Sequence, residues 1–147
     1  PKADKKKVNV EWVQADAQQL PFADDSFNVV SIAFGIRNVE NVELAIQECH
    51  RVLKEGGRLV VLEFFPIPNP VWRFLFRLYF LRVLPVIAAV VRAGRTGAYT
   101  YLPESVDAFY TASAFAKLLT SNGLQLLSDT ALTGGVSRLF VAVKKSS

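Results

Sequence analysis

Four short stretches of this chain hold residue types that could take part in chemistry. The first is Asp16-Ala17, just past an alternating segment from Val8 to Val13. An acid after a strand can accept the exocyclic amine of an adenine while the next backbone N–H meets a ring nitrogen. A turn Asp can equally satisfy its own loop. The second, Phe34-Gly35-Ile36-Arg37-Asn38-Val39, sets a planar cation and an amide at the end of an apolar run. Arg37 would suit a developing phenolate or an ordered water. The bland alternative pairs Arg37 with a nearby acid such as Glu40 and lets Asn38 cap the next helix. The third, Tyr99-Thr100-Tyr101, points two rings to one side of an extended segment. They could line a ring-binding pocket or be ordinary core aromatics. The fourth is His50, the only histidine, beside Arg51 and far in sequence from any second ligand or nucleophile. A general base needs geometry before pKa, so His50 reads as a helix-surface residue. The single cysteine, Cys49, excludes an internal disulfide, and no CxxC spacing exists, so no metal site is expected.

These residues need elements to hold them. Val8 to Val13 reads as a short strand from its alternation. Phe27 to Phe34 is almost continuously apolar, the pattern of a parallel strand buried on both faces. A helix is predicted from Asn41, a plausible N-cap, to Lys54, with Gly56 in the position of a C′ glycine. Arg58 to Phe64 is a second buried strand, which makes a right-handed βαβ unit and an α/β fold. Three prolines (Pro66, Pro68, Pro70) end it. An aromatic and basic insertion, about residues 65–98, then carries a helix from Val71 toward Pro85. Such an insertion would cover the carboxyl ends of the strands, where open α/β sheets bind ligands. Glu104 to Ser121 is helical in two pieces, stopped by Asn122-Gly123. Leu124 to Leu132 and Leu139 to Val143 form an antiparallel pair joined through Gly134-Gly135.

The chain has 147 residues, 51% hydrophobic and 20% charged, so residues 1–147 amount to one domain. The net charge of +4 is unevenly spread. Arg73, Arg77, Arg82, Arg92 and Arg95 lie between Phe64 and Pro103 with no acid among them, and elsewhere the charges nearly cancel. That excludes a general nucleic-acid binder and leaves one basic, apolar segment suited to an anionic lipid surface. Leu81 to Val91 is too short for the roughly 20 residues of a membrane span. Pro1 to Lys7 reads as an exposed loop, and without an initiator Met the chain is expected to be a piece of a longer protein.

In order and spacing, these stretches resemble one family. Asp16-Ala17-x-x-Leu20-Pro21-Phe22-x-Asp24-x-Ser26-Phe27 looks like its post-strand loop, and Arg51-Val52-Leu53-Lys54-x-Gly56-Gly57-Arg58-Leu59 with Leu62-Glu63-Phe64 its next helix and strand. Those motifs are shared with many class I methyltransferases. Gly35-x-Arg37-Asn38-Val39 and Tyr101-Leu102-x-Glu104-Ser105 are more specific, and Leu132-Thr133-x-Gly135 continues the match. The chain is thereby similar to the ubiquinone/menaquinone biosynthesis C-methyltransferases over nearly everything after Lys7.

The resemblance implies a Rossmann-like, doubly wound class I methyltransferase sheet ending in an antiparallel hairpin, here without its N-terminal strands and Gly-rich loop. It implies S-adenosyl-L-methionine as cofactor and a polyprenylated benzoquinol or naphthoquinol as acceptor. Asp16 and the Ala17 backbone would hold the adenine, and Ala33, where the family commonly has a serine, could offer only backbone. Arg37 and Asn38 would act beside the ring, which Tyr99 and Tyr101 would cover. A homo-oligomer, a membrane surface and a quinone-biosynthesis complex are the implied partners, with no nucleic acid. The implied place is the matrix side of the mitochondrial inner membrane in a eukaryote, or the cytoplasm and its membrane surface in a bacterium. The alternatives are a methyltransferase acting on another lipid, such as a sterol, and a non-catalytic quinone-binding scaffold.

Overall fold

A computed structural model describes residues 10–79, 82 and 105–145. The sheet starts with β1 (Phe27–Ala33), followed by a 3₁₀ turn (Ile36–Asn38), helix α1 (Val42–Val52) and β2 (Leu53–Phe64). Helix α2 (Pro70–Leu78), a helical turn at 105–107 and α3 (Ala112–Ser121) come next. The hairpin β3 (Leu124–Leu132) and β4 (Ser137–Lys144) closes the order. The strands lie β1-β2-β4-β3, with β1 and β2 parallel and β4 antiparallel to both its neighbours. The expected parallel crossover and antiparallel closing pair are both present.

Local chemistry sets the helix starts. The Asn41 side chain accepts from the Leu44 N–H at 3.1 Å, so the predicted N-cap holds and Asn38 does not cap α1. Asn69 caps α2 in the same way, with Pro70 in its first turn, and Thr111 caps α3. The end of α1 departs from expectation. It stops at Val52, and Leu53 already pairs with Phe27. Two steps along β1 then match five along β2, from Phe27↔Leu53 to Val29↔Arg58, so 54–57 loop out of the ladder. Gly56, at φ +71°, turns this loop and does not cap the helix. A Cβ on Gly57 would lie 2.7 Å from the Lys54 carbonyl oxygen, which only glycine avoids.

Alternate residues of β2 decide where the core lies. Leu59 and Val61 meet Ile46, Cys49 and Val52 of α1 and Phe115 and Leu119 of α3. Phe65, Phe115 and Phe140 stack with centroids 5.1–5.4 Å apart. Both helices thus cover one face. Opposite them, Val60 and Leu62 are half-buried and Val29 is exposed, so β1 is not buried on both faces among the described residues. Val10 to Val13, predicted as strand, pairs with nothing in the sheet and is exposed.

Candidate active site at the carboxyl ends of the parallel strands

The chain leaves β1 through Phe34, whose φ of +53° is unusual for a side chain of its size. Such left-handed residues cost on the order of 1 kcal/mol and collect at functional sites. The Phe34 N–H still donates to the Leu62 carbonyl at 2.8 Å, so the turn is tied to β2. The 3₁₀ turn folds back over β2 from there, with Ile36 fully buried beneath it.

That turn delivers Arg37 to Glu63. The guanidinium Nη1 donates to Glu63 Oε1, and Nε donates to the Ser105 hydroxyl at 3.2 Å. The guanidinium carbon lies 5.5 Å from the Phe64 ring centroid, within cation–π range. Phe34 packs on the same ring at 4.7 Å. The Arg37 side chain is 7% exposed and that of Glu63 0%. Glu63 also accepts from the Phe64 N–H at 2.8 Å. Glu40, the example offered by the bland alternative, is not the acid that holds Arg37. The partner comes from the end of the next parallel strand. Among the described residues no buried side-chain nitrogen lacks a hydrogen bond. Nη2 makes none of these contacts.

The residues named from sequence gather unevenly around this pair. Asn38 is exposed, and its N–H donates to the Gly35 carbonyl at 3.1 Å. Ala33 is exposed at the tip of β1. Asp16 forms a local turn: its Oδ1 accepts from the Gln18 N–H at 2.9 Å, and its carbonyl from Gln19 at 3.0 Å. Gln18 carries the loop onward, its Oε1 accepting from the N–H of Asn41, the cap of α1, at 3.0 Å. Asp16-Ala17 and Arg37-Asn38 are thus both anchored at the start of α1. The exposed Asp16 carboxylate is engaged only inside its own turn, which leaves it able to accept from an added amine. Tyr99 and Tyr101 lie outside the described residues.

Sequence reasoning quoted Glu63 within a motif without assigning it a role. Its signal was present: one acid inside the otherwise apolar run from Leu59 to Phe65 needs a cation at the depth of the core. His50 is half-buried, its Nε2 2.9 Å from where a Cβ on Gly123 would lie. Burial, then the Lys144 charge, lowers its pKa, with Asp25 opposing. Burial pushes the Cys49 thiol up to about 11, which keeps it protonated and unreactive. Among the described residues there is no cluster of three or more metal-ligating acids, histidines or cysteines.

The chain matches the ubiE/COQ5 methyltransferase family over residues 2–144. It is 44% identical over 140 residues to a demethylmenaquinone methyltransferase of Thermus thermophilus, covering 95% of this chain and 63% of that protein. To the human mitochondrial 2-methoxy-6-polyprenyl-1,4-benzoquinol methylase it is 42% identical over 130 residues, or 88% and 39% of the two chains. A demethylmenaquinone methyltransferase of Chlorobaculum parvum is 43% identical over 97% of this chain and 58% of its own. The chain therefore spans between about two fifths and just under two thirds of these relatives. Among solved structures, a SAM-dependent methyltransferase from Aquifex aeolicus superposes with TM-score 0.59 at 14% identity, over 92% of this chain and 55% of that one. The [4+2]-cyclase SpnF does so with TM-score 0.62 at 15% identity, over 90% of this chain and 55% of its own. Likeness at that level carries the Rossmann-like class I fold expected from the sequence, and the cyclase shows that this fold does not dictate one reaction. The family match and the sequence identities go further: the chain belongs to the ubiE/COQ5 methyltransferase family.

Proposed function

We propose that the complete protein methylates a ring carbon of a polyprenylated benzoquinol or naphthoquinol, with S-adenosyl-L-methionine as donor, in ubiquinone or menaquinone biosynthesis. The observation that carries this reading is the buried Arg37–Glu63 pair at the carboxyl ends of the parallel strands, beside the Asp16 loop, in a chain of this family. Relatives named for a demethylmenaquinone and for a polyprenyl benzoquinol support both acceptor rings.

When bound, S-adenosyl-L-methionine supplies an electrophilic methyl group. The chain supplies the rest. Asp16 would accept from the adenine amine, the Ala17 N–H would meet a ring nitrogen, and Ala33 would offer only its backbone. Arg37 stands at the acceptor ring, where its remaining donors stabilise charge on a ring oxygen. With Asn38, it also orients the water that removes the proton from the methylated carbon. Glu63 positions Arg37 and balances its charge, and Tyr99 and Tyr101 cover the ring. In the same proposal the protein forms a homo-oligomer and works at a membrane surface in a quinone-biosynthesis complex. That surface would be the matrix side of the mitochondrial inner membrane in a eukaryote, or the cytoplasmic side of the membrane in a bacterium.

A paired substitution tests it in the complete protein. Arg37→Gln should lower kcat by roughly 10²–10⁴ with little change in cofactor Kd. Asp16→Ala should do the reverse, weakening cofactor binding by about 1–3 kcal/mol. Methyl transfer to the quinol that survives Arg37→Gln would sink the assignment.

A further inference from the structure

We infer that a cavity between α2 and the β3–β4 turn is the binding site for the proximal isoprenoid units of the acceptor's tail. The inference rests on the proposed quinol substrate and adds a place and a set of residues for its tail. The cavity holds about 400 Å³ and is lined by Trp72, Leu75, Phe76, Tyr79, Thr133 and Val136. That size falls within the roughly 300–1,000 Å³ of small-molecule sites, enough for a stretch of prenyl chain. No charged side chain is among those six, as an isoprenoid requires.

Helix α2 sorts its side chains by ligand chemistry. Trp72, Leu75, Phe76 and Tyr79, spaced i, i+3, i+4 and i+7, form one stripe, and that stripe faces the cavity. Phe74, Arg77, Leu78 and Arg82 line a separate groove on the other side. The turn opposite is shaped to receive the stripe. Gly134 has φ +67°, and a Cβ there would lie 2.9 Å from Trp72 Nε1, so the indole sits where a side chain would otherwise be. Thr133 holds φ +49° in the same turn.

The backbone links the cavity wall to the strand end that carries the candidate active site. Val136, in its wall, accepts from the Phe65 N–H at 3.1 Å, and Ser137 pairs with Phe64. Phe64 is the residue whose ring lies under Arg37. The cavity wall is therefore one strand across from the Arg37 site, about 5 Å by ordinary strand spacing. A ring held at Arg37 would have its tail leave toward this cavity.

The test is equilibrium binding, which does not depend on turnover. Calorimetry on the complete protein would compare 2-methoxy-6-farnesyl-1,4-benzoquinol with tail-less 2-methoxy-1,4-benzoquinol. The wild type should bind the farnesyl compound at least about tenfold more tightly, a modest return on the apolar surface buried. The double variant Leu75→Gln/Tyr79→Gln should lose that preference. Both side chains are partly exposed on a surface helix, so folding is not at stake. Phe74→Gln, on the opposite side of α2, should keep the preference. A wild type without the preference would overturn the inference, as would a double variant that retains it or a Phe74→Gln variant that loses it equally. Loss of methyl transfer alone would strike the proposed reaction and leave the tail site standing.

Discussion

Two arginines at opposite ends of the same βαβ unit hold acids in contrasting ways. Arg51, in the last turn of α1, directs its donors to Glu48 on the same helix and to the loop before β1. Nε and Nη2 reach the two oxygens of Glu48 at 2.7 and 2.8 Å, Nη1 reaches Asp24 at 2.7 Å, and the carbonyls of Phe22 and Leu20 accept at 2.8 and 3.0 Å. Asp24 is well exposed, so water screens much of that network. The Arg51 hydrogen bond, aided by the Leu20 N–H, holds the Glu48 carboxyl below its usual range despite some desolvation. Arg37 has one acid, one hydroxyl and an aromatic face, and both members of its ion pair are out of water. A saturated, hydrated guanidinium is a clamp. A dry guanidinium on a left-handed turn at a strand's carboxyl end is what the proposed function sets beside a ligand.

The largest effect should come from breaking the dry pair. Glu63→Gln leaves the Arg37 charge buried without a counter-ion, a loss of about 3–5 kcal/mol. Arg37→Gln/Glu63→Gln removes both charges and should recover most of that stability while turnover stays abolished. Arg51→Ala should lower the melting temperature modestly and expose residues 20–24 to protease, with kcat nearly unchanged. The measurements are thermal melts, limited proteolysis and methyl transfer on the same variants. If the double variant regains turnover, Arg37 is a clamp like Arg51 and the contrast collapses.

That contrast was only half legible in the sequence. Periodicity found β1, α1, β2 and the hairpin because each has a consistent apolar pattern, and Asn41 announced its own capping role. The helix end and Gly56 were misjudged because Leu53 fits a helix stripe and a strand equally well, and only pairing with Phe27 decides between them. The buried faces of β1 were overestimated because an apolar run reports what a strand can bury, not what covers it. Arg37 was singled out by its place after an apolar run. Its partner was not, because sequence proximity favoured Glu40 while the fold brought in a residue 26 positions away. Asp16 could be read as a turn or as an adenine acceptor. The structure shows the turn, with the carboxylate exposed, and the adenine role stays part of the proposal.

A third group of arginines, on α2 and just beyond it, sharpens the comparison with a smaller effect. Arg77 shares a single exposed ion pair with Asp107 at 3.3 Å, and Arg82 is exposed. On the same helix Val71 and Phe74 are about two-thirds exposed. Among the described residues no helix is long and apolar enough to cross a membrane. We propose that these side chains engage an anionic lipid surface, where each basic residue contributes about 1 kcal/mol. Co-sedimentation of the complete protein with vesicles should rise with anionic lipid, fall with salt, and weaken for Arg73→Gln/Arg77→Gln/Arg82→Gln. Equal recovery in the supernatant with neutral and anionic vesicles would restrict these arginines to solvent.

The smallest effect is expected at His50, which shares α1 with Arg51 but carries neither kind of charge at neutral pH. Its folded pKa lies below the ordinary 6.5, chiefly because burial disfavours the cation and then because Lys144 is near. The sign follows directly. Between the folded value and 6.5 the unfolded chain binds more protons, so stability is full above pH 6.5 and declines as pH falls through that window. Glu48 acts lower, its contribution present above 4.5 and lost as pH falls toward its own depressed value. His50→Ala should therefore flatten the stability profile just below pH 6.5 and leave the steeper loss below pH 4.5 in place. Its effect at pH 7.5 should stay within about 1 kcal/mol, as for most substitutions away from core and site, with kcat unchanged. Denaturant melts at closely spaced pH values make the comparison. A drop in kcat for His50→Ala as deep as that for Arg37→Gln would mean that proton transfer runs through the histidine, and the dry pair would lose its place at the centre of the reaction.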